Sequence, residues 1–113
     1  MEVLKNQQTI DELANEIGAE NIPMLLAIFL NELSEYLDIF NHCEDSQKVT
    51  HLTDISHALK SSAASFGADA LCQLAISIDS KAKQDTLSDI NSEVKALTQL
   101  IEETRSTYER SVS

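Results

Sequence analysis

Turn-forming residues are nearly absent from this chain, which has two glycines, Gly18 and Gly67, and one proline, Pro23, in 113 residues. Small sheet proteins need a turn every 8–12 residues or so, built mostly from glycine, proline and asparagine. Scarce turns mean few, long elements, and such elements are helices. A chain of this length makes one domain, expected over residues 1–113, with one core. Its function must therefore sit on one surface or in one small pocket.

Apolar residues recur at helical spacing along nearly the whole chain. Thr9-Ile10-Asp11-Glu12 has the form of a capping box and predicts a short helix from about Ile10 to Ile17, stopped by Gly18. Pro23 suits the first turn of a second helix, running to about His42 through Leu25, Leu26, Phe29, Leu33, Leu37 and Phe40. Its first half, with Met24, Ile28 and Leu30, is apolar nearly all round, which predicts cover on more than one side, with the short first helix as lid. Asp45 and Ser46 can cap a third helix with apolar positions Val49, Leu52, Ile55, Leu59, Ala63 and Phe66, ended by Gly67. A fourth carries Leu71, Leu74, Ala75, Ile78 and Ala82 inward. The fifth starts at the capping-box-like Thr86-Leu87-Ser88-Asp89 and runs through Ile90, Val94, Leu97, Ile101, Thr104 and Tyr108. The expected fold is all-α: an antiparallel up-and-down four-helix bundle with an additional short N-terminal helix.

Nineteen acidic and eight basic side chains give a net charge of −11, which disfavours nucleic acid and anionic membranes as partners. The apolar run Ile22 to Leu30 is too short to span a bilayer, and the start of the chain, Met1 to Lys5, shows no leader pattern. A cytoplasmic protein is expected, with Cys43 and Cys72 as ordinary thiols. Two isolated glycines cannot build a nucleotide-binding loop. A di-metal bundle site needs two Glu-x-x-His motifs, and only Asp54-x-x-His57 comes near one. No zinc-ligand spacing occurs either, so no metal and no cofactor are expected.

What remains is His57. At about 100° per residue it projects nearly opposite the third helix's core stripe. It shares that face with Thr53, Ser61 and Ala64 and is flanked by Asp54 and Lys60. Small side chains there let another protein's surface approach the ring, and the ammonium of Lys60 can offset charge arriving on it. From Ser46 to Ala68 two lysines and one aspartate give +1, while the rest, with six bases and eighteen acids, carries −12. An unperturbed imidazole, with a pKa of about 6.5, leaves one nitrogen free as a nucleophile at neutral pH. Spacing alone does not separate such a nucleophile from an ordinary surface histidine. A pure adaptor bundle and a metal- or cofactor-binding bundle stay open on that ground.

The run His57-Ala58-Leu59-Lys60-Ser61-Ser62-Ala63-Ala64-Ser65-Phe66-Gly67-Ala68, followed by Leu71, resembles the signature of the histidine phosphotransfer (HPt) domain. There His-x-Leu-Lys-Gly is followed by small residues, an apolar residue and glycine. The likeness extends to Ile17-Gly18, Pro23 to Leu30, Ile78-Asp79 and Lys81-Ala82-Lys83. It implies that His57 accepts a phosphoryl group from the receiver-domain aspartate of a hybrid sensor histidine kinase. His57 then passes the group to the aspartate of a response regulator in two-component signalling. It further implies a monomeric carrier without kinase or phosphatase activity, the metal ion residing on the receiver. Lys60 matches the family lysine, and Thr53, Asp54, Ser61, Ala64 and Gly67 become the docking face. Ser61 departs from the pattern, which often has glycine there. Its hydroxymethyl group narrows access to the ring and can donate to a phosphoryl oxygen.

Elsewhere, His42 and His51 do not share the face of His57, and Cys72 flanks the inner stripe of the fourth helix as a half-buried thiol. Phe29, Tyr36 and Phe40 lie at core spacing.

Overall fold

A computed structural model describes residues 3–112, with side chains over 3–110. Met1 and Glu2, part of the stretch read for a leader, lie outside the described residues, as does Ser113. The helices are α1 (Gln7–Ile17), α2 (Ile22–His42), α3 (Lys48–Phe66), α4 (Asp69–Lys83) and α5 (Ile90–Val112). The four long ones form the expected bundle, with α3 packed most extensively along α4 and α2 along α5.

α1 starts earlier than the Thr9 signal predicts. Asn6 is the cap, its Oδ1 accepting from the backbone N–H of Gln8 and Thr9 at 3.1 and 3.4 Å. Tertiary bonds decide between the two candidates. Asn6 also donates its own N–H to the Gly67 carbonyl at 2.7 Å and its Nδ2 to Asp69 Oδ2 at 2.9 Å. Gly18, at φ +94°, ends α1 as expected.

In α2 the residues Leu26, Phe29, Leu33, Leu37 and Phe40 are buried at steps of three and four. The cover expected over its first half is incomplete, because Met24 and Ile28 are each 59% exposed. α1 lies against α3 and the start of α2 without reaching over them. Val49, assigned above to the core stripe of α3, is also exposed. It sits in the first turn of α3, beyond the buried stripe of Leu52, Ile55, Leu59 and Ala63. The start of α3 is preceded by a 3-10 turn over Asp45–Gln47, in which the Glu44 N–H donates to Gln47 Oε1 at 3.4 Å. Asp45 pairs with Lys48 at 3.0 Å. α5 begins at Ile90, later than the Thr86 signal predicts. Asp89 Oδ1 accepts from the Ser92 N–H at 3.1 Å, while Thr86 donates to the Lys81 carbonyl at 3.2 Å.

An aromatic cluster joins three helices. Phe29 stacks on Phe66 at 4.8 Å and meets Tyr108 edge-on at 5.4 Å, and the Tyr108 hydroxyl donates to the Phe66 carbonyl at 2.6 Å. Such ring pairs contribute about 0.5–1.5 kcal/mol beyond the area they bury. The cluster holds the end of α3, next to the turn that sets the site. In that turn Gly67 takes the left-handed conformation (φ +75°), with Gly67 N–H bonded to Ala64 O and Ala68 N–H to Ala63 O, a Schellman arrangement. A Cβ there would lie 2.6 Å from the Asn6 carbonyl oxygen. From this turn α4 runs back along α3. His57 is ten residues before Gly67 and Asp79 twelve after it, about 15 and 18 Å along their helices, so they come level.

Candidate functional site

His57 stands on the outer face of α3 with its side chain 68% exposed. Its Nδ1 is 3.5 Å from Asp79 Oδ1 on α4, and the Asp79 side chain is only 5% exposed. The other oxygen, Oδ2, accepts from Lys60 Nζ at 2.7 Å and from Lys83 Nζ at 2.9 Å. The Lys60 hydrogen bond first, and the Lys83 one next, hold the Asp79 carboxyl down to about 2 from 3.8, against the opposing effect of burial. The same pairing raises the Lys83 ammonium above its ordinary value. Asp79 is thus an anion wherever the protein is folded at neutral pH, tying two ammoniums and one imidazole into a cluster.

The chemistry follows from which ring nitrogen meets the carboxylate. An anionic oxygen favours the proton on Nδ1, leaving the lone pair on Nε2, the nitrogen on the far side of the ring from Asp79. The site is an exposed imidazole with a carboxylate and two ammoniums at its base. Two hollows of about 400 and 210 Å³ lie elsewhere, and neither includes His57. An open helix face cannot enclose a small-molecule donor, whereas it suits a group carried in on another protein. Among the described residues no cluster of three or more His, Cys, Asp or Glu side chains is arranged to hold a metal ion.

The predicted face is partly as expected. Asp54, Ser61 and Ala64 are exposed on the side of α3 that carries His57. Thr53 is half-buried and donates its hydroxyl to the Val49 carbonyl at 2.9 Å. Ala64 lies in the smaller hollow, between α1 and α3, with Thr9, Glu12, Leu13, Glu16 and Ser65. Gly67 does not belong to the docking face: it is buried beneath Asn6, and its part is to turn the chain. Lys60 is not a free ammonium one turn from the ring, as spacing suggests, but is bonded to Asp79. His42 sits at the exposed end of α2 with its Nδ1 2.9 Å from the Asp38 carbonyl. His51 is half-buried, and the Cys72 thiol, buried more fully than its spacing suggests, lies 3.6 Å from the Lys60 carbonyl.

Asp79 and Lys83 were missed as site residues. The available signal was an acid beside the inner stripe of α4, next to Ile78, with a lysine four residues on.

This four-helix bundle with a surface imidazole is a histidine phosphotransfer module: the chain belongs to the Hpt domain family, whose model matches residues 24–107. Among individual proteins, it is 50% identical over 108 residues to the phosphorelay protein LuxU of Vibrio vulnificus strain YJ016, covering 96% of this chain and 93% of that one. It is 48% identical over 103 residues to LuxU of Vibrio harveyi, covering 91% and 90%, and to LuxU of Vibrio cholerae serotype O1, covering 91% of each. No solved structure matches the chain significantly.

Proposed function

We propose that this protein is a phosphorelay carrier in quorum-sensing two-component signalling. Nε2 of His57 attacks the phosphorus of an aspartyl phosphate on the receiver domain of a hybrid sensor histidine kinase. The N–P bond forms as the O–P bond breaks, and the electron pair leaves on the aspartate oxygen. The reverse chemistry then loads the aspartate of a response regulator resembling LuxO. The observation that carries this reading is the exposed imidazole whose Nδ1 faces a buried carboxylate, since it leaves a nucleophile pointing outward with its tautomer chosen.

Phosphoryl transfer passes through a loose transition state, so positioning and charge neutralisation supply most of the catalysis. Here Asp79 orients the ring and Lys60 offsets incoming charge. The receiver contributes its acidic pocket, its metal ion and the acceptor, and Asp54, Ser61 and Ala64 belong to the surface on which it seats. The carrier needs no cofactor and has no kinase or phosphatase activity of its own. It works as a cytoplasmic monomer, and no single helix among its described residues is long and apolar enough to cross a membrane.

The test is to incubate the protein with a phosphorylated receiver domain and follow the label. His57→Gln should lose all acceptance at unchanged helicity. The phosphoprotein should be labile in acid and persist in alkali, as a phosphoamidate is. Label on the Gln variant, or alkali-labile label, would overturn the reading.

A further inference from the structure

Asp79 Oδ2 accepts from two ammoniums at once. One cation neutralises one carboxylate, so with a neutral imidazole the resting cluster carries a surplus positive charge. The two lysines are held differently. Lys60 comes from the helix of His57, is 28% exposed and makes the shorter contact, 2.7 Å. Lys83 reaches in from the last turn of α4, is 62% exposed and sits at 2.9 Å. Lys60 is the more enclosed of the two, and Lys83 the more open to solvent.

Loading the ring changes what Asp79 needs. When the N–P bond forms on Nε2 and Nδ1 keeps its proton, the ring becomes a cation and the phosphoryl group a dianion. Asp79 then faces the cationic ring through Oδ1 and Lys60 through Oδ2, and it no longer requires Lys83. The dianion beside it does require a second cation. With Asp79, Lys60, the cationic ring, the phosphoryl group and Lys83 all counted, the loaded site is neutral.

We infer that Lys83, parked on Asp79 in the resting protein, moves its ammonium to the phosphoryl oxygens when His57 is loaded, while Lys60 stays on Asp79. Lys83 is then a phosphoryl-binding residue supplied by α4, and Asp79 is the berth it returns to after transfer. The inference rests on the phosphorelay function proposed above.

The deciding quantity is the equilibrium partition of phosphoryl between a receiver aspartate and His57. A docking defect slows both directions equally and leaves that ratio alone. Lys83→Gln should move it about tenfold toward the receiver, the loss of one charge-assisted contact, and Lys83→Arg should restore it. Lys81→Gln, whose ammonium pairs instead with Glu93 at 3.3 Å, should leave the ratio unchanged. A wild-type ratio in Lys83→Gln would overturn the inference. Label uptake from a phosphorylated receiver separates this from failure of the parent reading: if the wild type takes no label, or His57→Gln takes it equally, the nucleophile itself is misassigned and the role of Lys83 falls with it.

Discussion

Asp79 Oδ1 stands 3.5 Å from Nδ1 of His57, across the seam between α4 and α3. A side chain on one helix therefore faces one particular ring nitrogen of a side chain on another. Asp79→Ala should release the ring: nitrogen-detected NMR should show the Nδ1–H tautomer dominant in the wild type and depleted in the variant. Transfer from a phosphorylated receiver should slow by about 10- to 100-fold, the cost of losing orientation in a reaction that depends on it. An unchanged tautomer ratio would remove Asp79 from the mechanism.

The same carboxylate should mark the acid limb of the stability curve. A carboxyl held at about 2 when folded, against 3.8 in its ordinary state, stabilises the fold fully above 3.8 and loses that contribution as pH falls through about 2. The difference in melting temperature between wild type and Asp79→Asn should be constant between pH 3.8 and 10.5 and shrink below that range. Lys83, whose ammonium is raised, acts at the other limb. Its contribution is complete below 10.5 and is lost as pH rises past its raised value.

Gly67→Ala tests the turn. The left-handed backbone disfavours any side chain, and the new Cβ would press on the Asn6 carbonyl. Each such strain costs roughly 1–3 kcal/mol, which should lower the melting temperature by several degrees in thermal denaturation. A melting temperature equal to that of the wild type would show that the N-terminal segment yields freely.

Ala64→Trp tests the docking face. The residue is exposed and lines the hollow between α1 and α3, so an indole there should hold an incoming receiver away while leaving the core intact. Transfer should fall about 100-fold for a displacement near 1 Å, with wild-type helicity. Gln99→Trp, at an exposed position on α5, is the control. Wild-type transfer by the Ala64 variant would move the docking face elsewhere.

The helices and the outward aim of His57 were legible because each is a local property of spacing, whereas the bond from Lys60 to Asp79 was not. The start of α1 was not: Thr9 and Asn6 are both good caps one turn apart, and only contacts with Gly67 and Asp69, more than sixty residues away in sequence, choose between them. Asp79 was hidden for the same reason. That it comes level with His57 appears only when both are counted from the Gly67 turn, and its neighbours Ile78 and Ala82 read simply as core. Met24 and Ile28 misled in the opposite direction, since an apolar run reports affinity for cover but not whether another element reaches that far.

Because His57 and Asp79 are measured off from one turn, the site is sensitive to insertions in a directional way. One extra residue between His57 and Gly67, or between Gly67 and Asp79, would rotate one partner by about 100° and shift it about 1.5 Å, parting the imidazole from its carboxylate. Extra residues in the connections at the other end of these helices, 43–47 and 84–89, would leave that measurement untouched. Length variation among relatives that keep this pairing should accordingly collect in those two connections and spare the stretch from 57 to 79.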